Sequence, residues 1–460
     1  MRSACLIRLP QSMILYDYPH DMRIIPVSLI LRVFRSGLLR TTGVYFLTSS
    51  LGFALAFLTL PVFTRTLSPE DYGLTAMFTV LTGIVGLFSG LGVYGAVGRQ
   101  FYELNKKDFP VYVANSLIVF LLSSSITGFA VWFFGSWISK YSGYPQLWLW
   151  TVVLMGSAQC LQMIQLTLWQ AMRRPIPYAV FQIGMAMTVT ALSLYLVLAR
   201  NMSWQGRVLA QVWTALGFAA FSFIALWRGG GVRWEWHWSS MRHALCFSIP
   251  LIPHTLGMMA MAMTDRILLI NMVGLSETGV YSVASNIGML IAFFQGAFTN
   301  AWLPWFMEQL RLNDPVADLR VVRVTYMYNS FLFIFALLFG LFAPSVLGLF
   351  LGEKFAASGQ YVLWIALGYA FNGMYKMAAS YIYYAQKNHW LAGVTLLTAI
   401  LHAIISYFLI RWQGCVGAAW GTMIAFLISL VATWTLACRC RPMPWLYFMS
   451  SAFNRDPASL

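Results

Sequence analysis

Between residues 42 and 437 the chain alternates long apolar runs with short polar breaks. An apolar run of about 20 residues, coiled as helix, crosses about 30 Å of hydrocarbon. Twelve such runs can be drawn, at 42–62, 74–96, 111–134, 147–170, 178–199, 208–227, 244–269, 279–303, 324–347, 361–385, 391–410 and 415–437. The first break is typical of the rest. Apolar sequence stops at Thr64, Arg65 and Thr66, a turn follows at Ser68-Pro69-Glu70-Asp71, and a second apolar run opens at Tyr72. The pattern predicts an all-α polytopic membrane protein of about 12 transmembrane helices.

Composition agrees with that class and narrows it. The 460 residues are 60% hydrophobic and only 9% charged, against about 25% charged in a soluble domain. The formal net charge is +15, from 29 basic and 14 acidic residues. In a soluble chain this would suggest nucleic acid. Here it reads as topology, because cytoplasmic loops collect Lys and Arg. With the N-terminus inside, most basic residues fall on inner segments. Arg65, Lys140, Arg200, Arg207, Lys354 and Arg411 fall on outer ones, and Arg266 and Lys376 lie within spans. Both termini are therefore expected in the cytoplasm, with no nucleic-acid partner. The six cysteines are scattered and match no metal or disulfide pattern, so no metal or cofactor is expected.

The chain divides into five segments. Residues 1–40 read as a cytoplasmic N-terminal segment. Its run "VSLILRVF" (27–34) is followed by Arg35 and Arg40 rather than by a cleavage site, which suits an amphipathic interfacial stretch. Met22 precedes it and is a second candidate start. Residues 41–227 and 244–437 form two six-helix bundles, joined by a cytoplasmic linker at 228–243 and followed by a cytoplasmic tail at 438–460. The linker, "RGGGVRWEWHWSSMRH", carries glycines suited to a connection and tryptophans suited to the interface.

The two halves look related. Leu67-Ser68-Pro69-Glu70 and Tyr72-Gly73-Leu74 have counterparts in Leu275-Ser276-Glu277 and Gly279-Val280-Tyr281. Six helices per half is an even number, so the halves point the same way. That is a parallel pseudo-repeat, a transporter plan with the substrate site between the halves.

Polar groups within spans should face a cavity or another helix. On the tenth span Tyr369, Asn372, Lys376, Ser380 and Tyr383 share one face. Lys376 lies near mid-span, where a lysine costs about 2.5–3.5 kcal/mol on insertion scales, so a wet cavity or an anion is expected beside it. Gln295 is the member of the eighth span's stripe expected in a cavity. Gln159, Gln162 and Gln165 on the fourth span would bond either sugar hydroxyls or one another. On the seventh, Pro250 and Pro253 should interrupt the helix. Asp265 and Arg266 point about 100° apart, so Arg266 could face the cavity while Asp265 binds another helix. His254 and His402 read as packing residues.

Asp265 is the one acid clearly within a span. No carboxylate constellation or GxxxxGK[ST] phosphate loop is present. The chain does not read as an enzyme, and a cavity so lined would be basic, its ligand an anion.

The hairpin Pro61-Val62-Phe63-Thr64-Arg65-Thr66-Leu67-Ser68-Pro69-Glu70-Asp71-Tyr72-Gly73-Leu74 resembles that of bacterial polysaccharide (O-antigen type) flippases. So do "FSIPLIPHTLGMMAMAMTDRILLINMVGLSETGVYSVASNIG" (247–288) and "FTNAWLPWFME" (298–308). Their superfamily also holds multidrug-and-toxin exporters and lipid II flippases. The resemblance implies a V-shaped pair of bundles that alternates between inward- and outward-open. It implies an undecaprenyl-pyrophosphate-linked oligosaccharide as substrate, carried across the bacterial inner membrane for O-antigen, capsule or exopolysaccharide. Polymerase and chain-length proteins of the same pathway would be partners. Cationic contacts carry over to Arg65 and Arg266, and to Arg99; Lys376 joins them from its position in the span alone. Asn372, Gln295 and Gln162 would meet the glycan, and Asp265, Pro250 and Pro253 would serve coupling or gating. Two rivals stand beside this: a multidrug or cation antiporter of the same fold, which needs acids in the cavity, and a membrane polysaccharide polymerase or ligase, which needs a sizeable outer loop.

Overall fold

The computed structural model describes residues 37–385 and 387–445. The expected interfacial run at 27–34 and most of the tail lie outside them. Among the described residues the chain is helical, without strands. Helix α1 (Gly37–Thr66) is followed by α2 (Pro69–Gly90), α3 (Val93–Glu103), α4 (Phe109–Phe133), α5 (Gly135–Ser142), α6 (Leu149–Ala171), α7 (Pro175–Leu194) and α8 (Trp204–Arg228). Then come α9 (Trp238–Ser248), α10 (Ile252–Met272), α11 (Leu275–Arg311), α12 (Pro315–Leu351), α13 (Gly359–Tyr384) and α14 (Asn388–Cys440). Each expected apolar run falls on helix. Eight helices among the described residues are long and apolar enough to cross a membrane, by length and composition.

Local chemistry sets the boundaries. Ser68 caps α2: its hydroxyl accepts from the Asp71 N–H at 3.1 Å, and the Asp71 carboxylate accepts from the Ser68 N–H at 2.9 Å. Leu91 (φ 48°) and Gly92 (φ 74°) are left-handed, which splits the apolar run 74–96 into α2 and α3. Gly414 (φ 56°, ψ −131°) reverses the chain within α14. A Cβ on Gly417 would strike the Leu409 carbonyl and one on Gly421 the Ser406 hydroxyl. Thus α14 is a tight hairpin of two arms, 388–413 and 415–440, which accounts for the last two runs.

The breaks collect at two ends. At one end Asn271 Nδ2 donates to the Tyr141 carbonyl (2.8 Å). At the other, Arg441 pairs with Asp318 (3.2 Å) and the Arg233 N–H donates to the Pro110 carbonyl (3.1 Å). We call the first the hairpin end, after the turn at 66–69.

One buried apolar cluster joins the two halves. Leu60, Phe63, Leu67 and Tyr72 pack in it with residues of the second half such as Val280 and Phe355. Two glycines set its closeness. A Cβ on Gly73 would strike the Leu275 carbonyl, and one on Gly279 would strike the Pro69 carbonyl. Each glycine thus presses on the carbonyl of the residue four places before the other.

Residues 228–243 are tied down. Buried Asn115 of α4 donates to the Glu235 carbonyl (2.7 Å) and accepts from the His237 N–H (3.0 Å). Helix α9 buries Met241 and Ala244 in a core otherwise made of first-half residues. Pro250 then sits in a 3₁₀ turn at Ile249–Leu251, and Pro253 in the first turn of α10. The interruption expected at these prolines is present, because proline removes a helix donor.

Candidate functional site

A cavity of about 540 Å³ lies between the halves, next to the shared cluster. Helices α1, α2, α7 and α8 wall it from one side and α10, α11 and α13 from the other. Its walls are apolar (Phe53, Phe57, Met263, Met289) with interspersed hydroxyls and amides (Thr75, Ser193, Gln211, Asn286). Among the described residues its charged lining residues are Arg207 and Arg266, one from each half, and no Asp or Glu lines it.

Arg266 is held in place. Its Nη1 donates to the Ala262 carbonyl (3.1 Å) and its Nη2 to the Ser285 hydroxyl (3.2 Å). Arg207 is held differently. Its guanidinium lies over Phe63 at 4.9 Å and Tyr72 at 5.0 Å from the ring centroids. Its Nη1 is buried with no hydrogen-bond partner among the described residues. Two guanidiniums in an apolar wall have the donor chemistry that suits an anion.

Asp265, one residue before Arg266, turns away towards α11 and α14 and is buried. Its carboxylate accepts from Tyr281 (3.0 Å), from Ser406 (3.1 Å) and from Thr422. His402 Nε2 lies 3.1 Å away. One carboxylate so ties α10 to α11 and to both arms of α14.

The other expected site residues are dispersed. Lys376 is half-buried on α13 and donates to Gln295 Oε1 (3.2 Å). Gln295 is fully buried and gives its amide to the Tyr369 carbonyl. Of the α13 stripe it is Tyr369 that lines the cavity; Asn372 lies half-buried on the same helix. Gln162 is buried, donating to the Ala215 carbonyl of α8 at 2.7 Å. Arg65 is exposed at the end of α1, its stem beside Gly352. Arg99 is exposed near the opposite end, bonded to Glu103 at 2.8 Å. Of the expected substrate contacts, the cavity therefore gathers Arg266. Sequence reasoning missed Arg207, whose position in a polar break resembled a surface charge. It also missed the pairing of His402 with Asp265.

Residues 38–309 match the family described as polysaccharide biosynthesis protein, and the chain belongs to it. A protein of the Lsg locus of Haemophilus influenzae is 22% identical over 75% of this chain and 84% of its own. A Haloferax volcanii protein described as a probable low-salt glycan biosynthesis flippase, Agl15, is 20% identical over 86% of this chain and 82% of its own. Among solved structures, the lipid II flippase MurJ in an inward closed conformation aligns with TM-score 0.65. It is 13% identical and covers 86% of this chain and 87% of its own. An inward-facing MATE multidrug resistance transporter aligns with TM-score 0.63, at 15% identity over 84% and 94%. The chain is a multi-pass membrane protein of this transporter fold, of a flippase-like family rather than an enzyme.

Proposed function

We propose that the chain is a flippase for an undecaprenyl-pyrophosphate-linked oligosaccharide, in the bacterial inner membrane with both ends in the cytoplasm. The observation that carries this is that Arg207 and Arg266, from opposite halves, line one cavity on which no described acid falls. In this proposal the pyrophosphate bridges the two guanidiniums while the polyprenyl tail stays in lipid and cavity hydroxyls and amides meet the glycan. Lys376, on release from Gln295, is a further cationic contact. With the hairpin end outward, the shared apolar cluster closes the periplasmic side. Asp265 clamps α10 so that Arg266 points inward, and Pro250 and Pro253 let α10 swing. Moving two negative charges out of a negative interior gains about 2.3 kcal/mol per charge per 100 mV. Product would pass to the polymerase and chain-length proteins of an O-antigen, capsule or exopolysaccharide pathway. A cation antiporter is disfavoured, because the acid it would need, Asp265, faces away from the cavity.

The test is complementation of a flippase-deficient strain that keeps its own glycan pathway. Wild type and Arg266→Gln are compared at matched membrane levels. Wild type should restore surface glycan, and the variant should leave lipid-linked oligosaccharide on the inner leaflet. Equal activity of both would remove Arg266 from the site; failure of wild type would remove this substrate.

A further inference from the structure

Arg207 lines the cavity and also touches the machinery of closure. Its guanidinium rests on Phe63 and Tyr72, both almost wholly buried in the cluster shared by the two halves. Tyr72 in turn meets Phe355 of the second half, ring edge to face at 5.0 Å. The next residue along the chain is Gly73, which presses on the Leu275 carbonyl. One short path thus runs from the cavity wall, through a cation–π contact, to the point where the halves touch most closely.

The two arginines differ in what they have left to give. Two of the five N–H donors of Arg266, one on each terminal nitrogen, already have acceptors, so it is held in place as it meets an anion. Arg207 keeps a buried Nη1 without an acceptor among the described residues, although a guanidinium is built to give several hydrogen bonds at once. That nitrogen has no surface open to the cavity while the guanidinium rests on the rings, so an anion in the cavity supplies an acceptor only as the guanidinium leaves them. A charge-assisted bond to a phosphate oxygen is stronger than a cation–π contact, so the anion draws the guanidinium away from the rings.

We propose that Arg207 couples occupation of the cavity to opening of the hairpin end. Stacked on Phe63 and Tyr72, it holds the closure together; bound to the substrate's phosphates, it releases Tyr72 and frees Gly73 to leave Leu275. Lysine cannot substitute, because an ammonium neither stacks as a plane nor divides its donors between ring and phosphate in the same way. The coupling rests on the anionic substrate proposed above.

The experiment uses the full chain in nanodiscs, with spin labels at Glu70→Cys and Glu277→Cys in a Cys246→Ser background. Both label sites are exposed, one on each side of the closure. Undecaprenyl pyrophosphate is the probe, undecaprenol the uncharged control, and binding is measured separately. In wild type the pyrophosphate lipid should lengthen the distance between labels and undecaprenol should not. In Arg207→Gln the open fraction without ligand should rise about fivefold, with no further change on adding the pyrophosphate lipid. Arg207→Lys should lose the response in the same way. Phe63→Leu, which leaves the arginine in place, should raise the unliganded open fraction by less. Arg266→Gln should bind more weakly yet stay closed without ligand. A wild-type response in Arg207→Gln overturns the coupling. So does a wild type that binds the pyrophosphate lipid without opening, which leaves the substrate proposal standing. A wild type that does not bind it overturns both.

Discussion

Asp265 and Arg266 are neighbours in sequence and face different surroundings. The carboxylate is locked into the second bundle by Tyr281, Ser406, Thr422 and His402. The guanidinium lines the cavity between the halves. The acid thereby fixes the rotation of α10 about its axis, and that rotation aims the base.

Removing the acid should cost stability before it costs anything else. Asp265→Ala leaves three hydroxyls without their acceptor and removes the carboxylate beside His402. Breaking a buried pair on one side costs about 3–5 kcal/mol. Asp265→Asn keeps the shape and one acceptor oxygen, and should lose less. Thermal unfolding in detergent should rank them wild type, Asn, Ala; an alanine variant as stable as wild type would show that the clamp holds nothing.

Lys376→Met tests whether that cation acts on substrate or only braces the bundle. Methionine keeps the length of the stem and gives up the charge, leaving Gln295 without its Lys376 donor. If the lysine is a substrate contact, glycan export should fall about tenfold or more, as for loss of a charge-assisted bond of about 1.5–3 kcal/mol, with the unfolding temperature near that of wild type. Full export by the methionine variant would assign Lys376 to packing.

Gly73→Ala should weaken closure at the hairpin end. The new methyl has no room beside the Leu275 carbonyl, and overpacking of this kind costs about 1–3 kcal/mol. Thr79 lines the cavity, so Thr79→Cys reports on access. A membrane-impermeant maleimide added from outside should label that cysteine faster in the Gly73→Ala background. Unchanged labelling would mean that the contact does not control access.

Arg99 makes a contrasting case. Its partner Glu103 has a carboxyl held below the ordinary range, first by the hydrogen bond from Arg99. A lowered carboxyl pKa gives a contribution that is present above the unfolded value and lost as pH falls through the folded one. The pair is therefore intact at neutral pH and breaks only in acid. It is also exposed, and exposed pairs contribute little. Arg99→Gln should leave export and melting temperature at neutral pH unchanged. A large loss of export would return Arg99 to the substrate path.

What could be read from the sequence follows the range of the forces involved. The apolar runs were legible because a span must be apolar over its whole length, whatever it packs against. The different directions of Asp265 and Arg266 were legible because helix geometry alone separates neighbours by about 100°. The split at Leu91 and Gly92 was not, since the residues on both sides are equally apolar. Arg207 was hidden for a different reason. It sits in the first turn of α8, and only the packing of α8 near α1 and α2 brings it over Phe63 and Tyr72. His402 reached Asp265 through the approach of α14 to α10, which no local pattern announces. For Lys376 the helix was legible, but its bond to Gln295 depends on how α11 meets α13.

The reciprocal contact of Gly73 and Gly279 makes two positions, far apart in sequence, into one thermodynamic variable. An alanine at either site must push the same two backbones apart. Once they have moved, a second alanine meets space that the first has already opened. The energies of the single substitutions should therefore not add: the double variant should cost clearly less than their sum, where distant independent sites add to within about 0.5 kcal/mol. Substituting one glycine relaxes the constraint on the other, so the pair behaves as a single joint with two names.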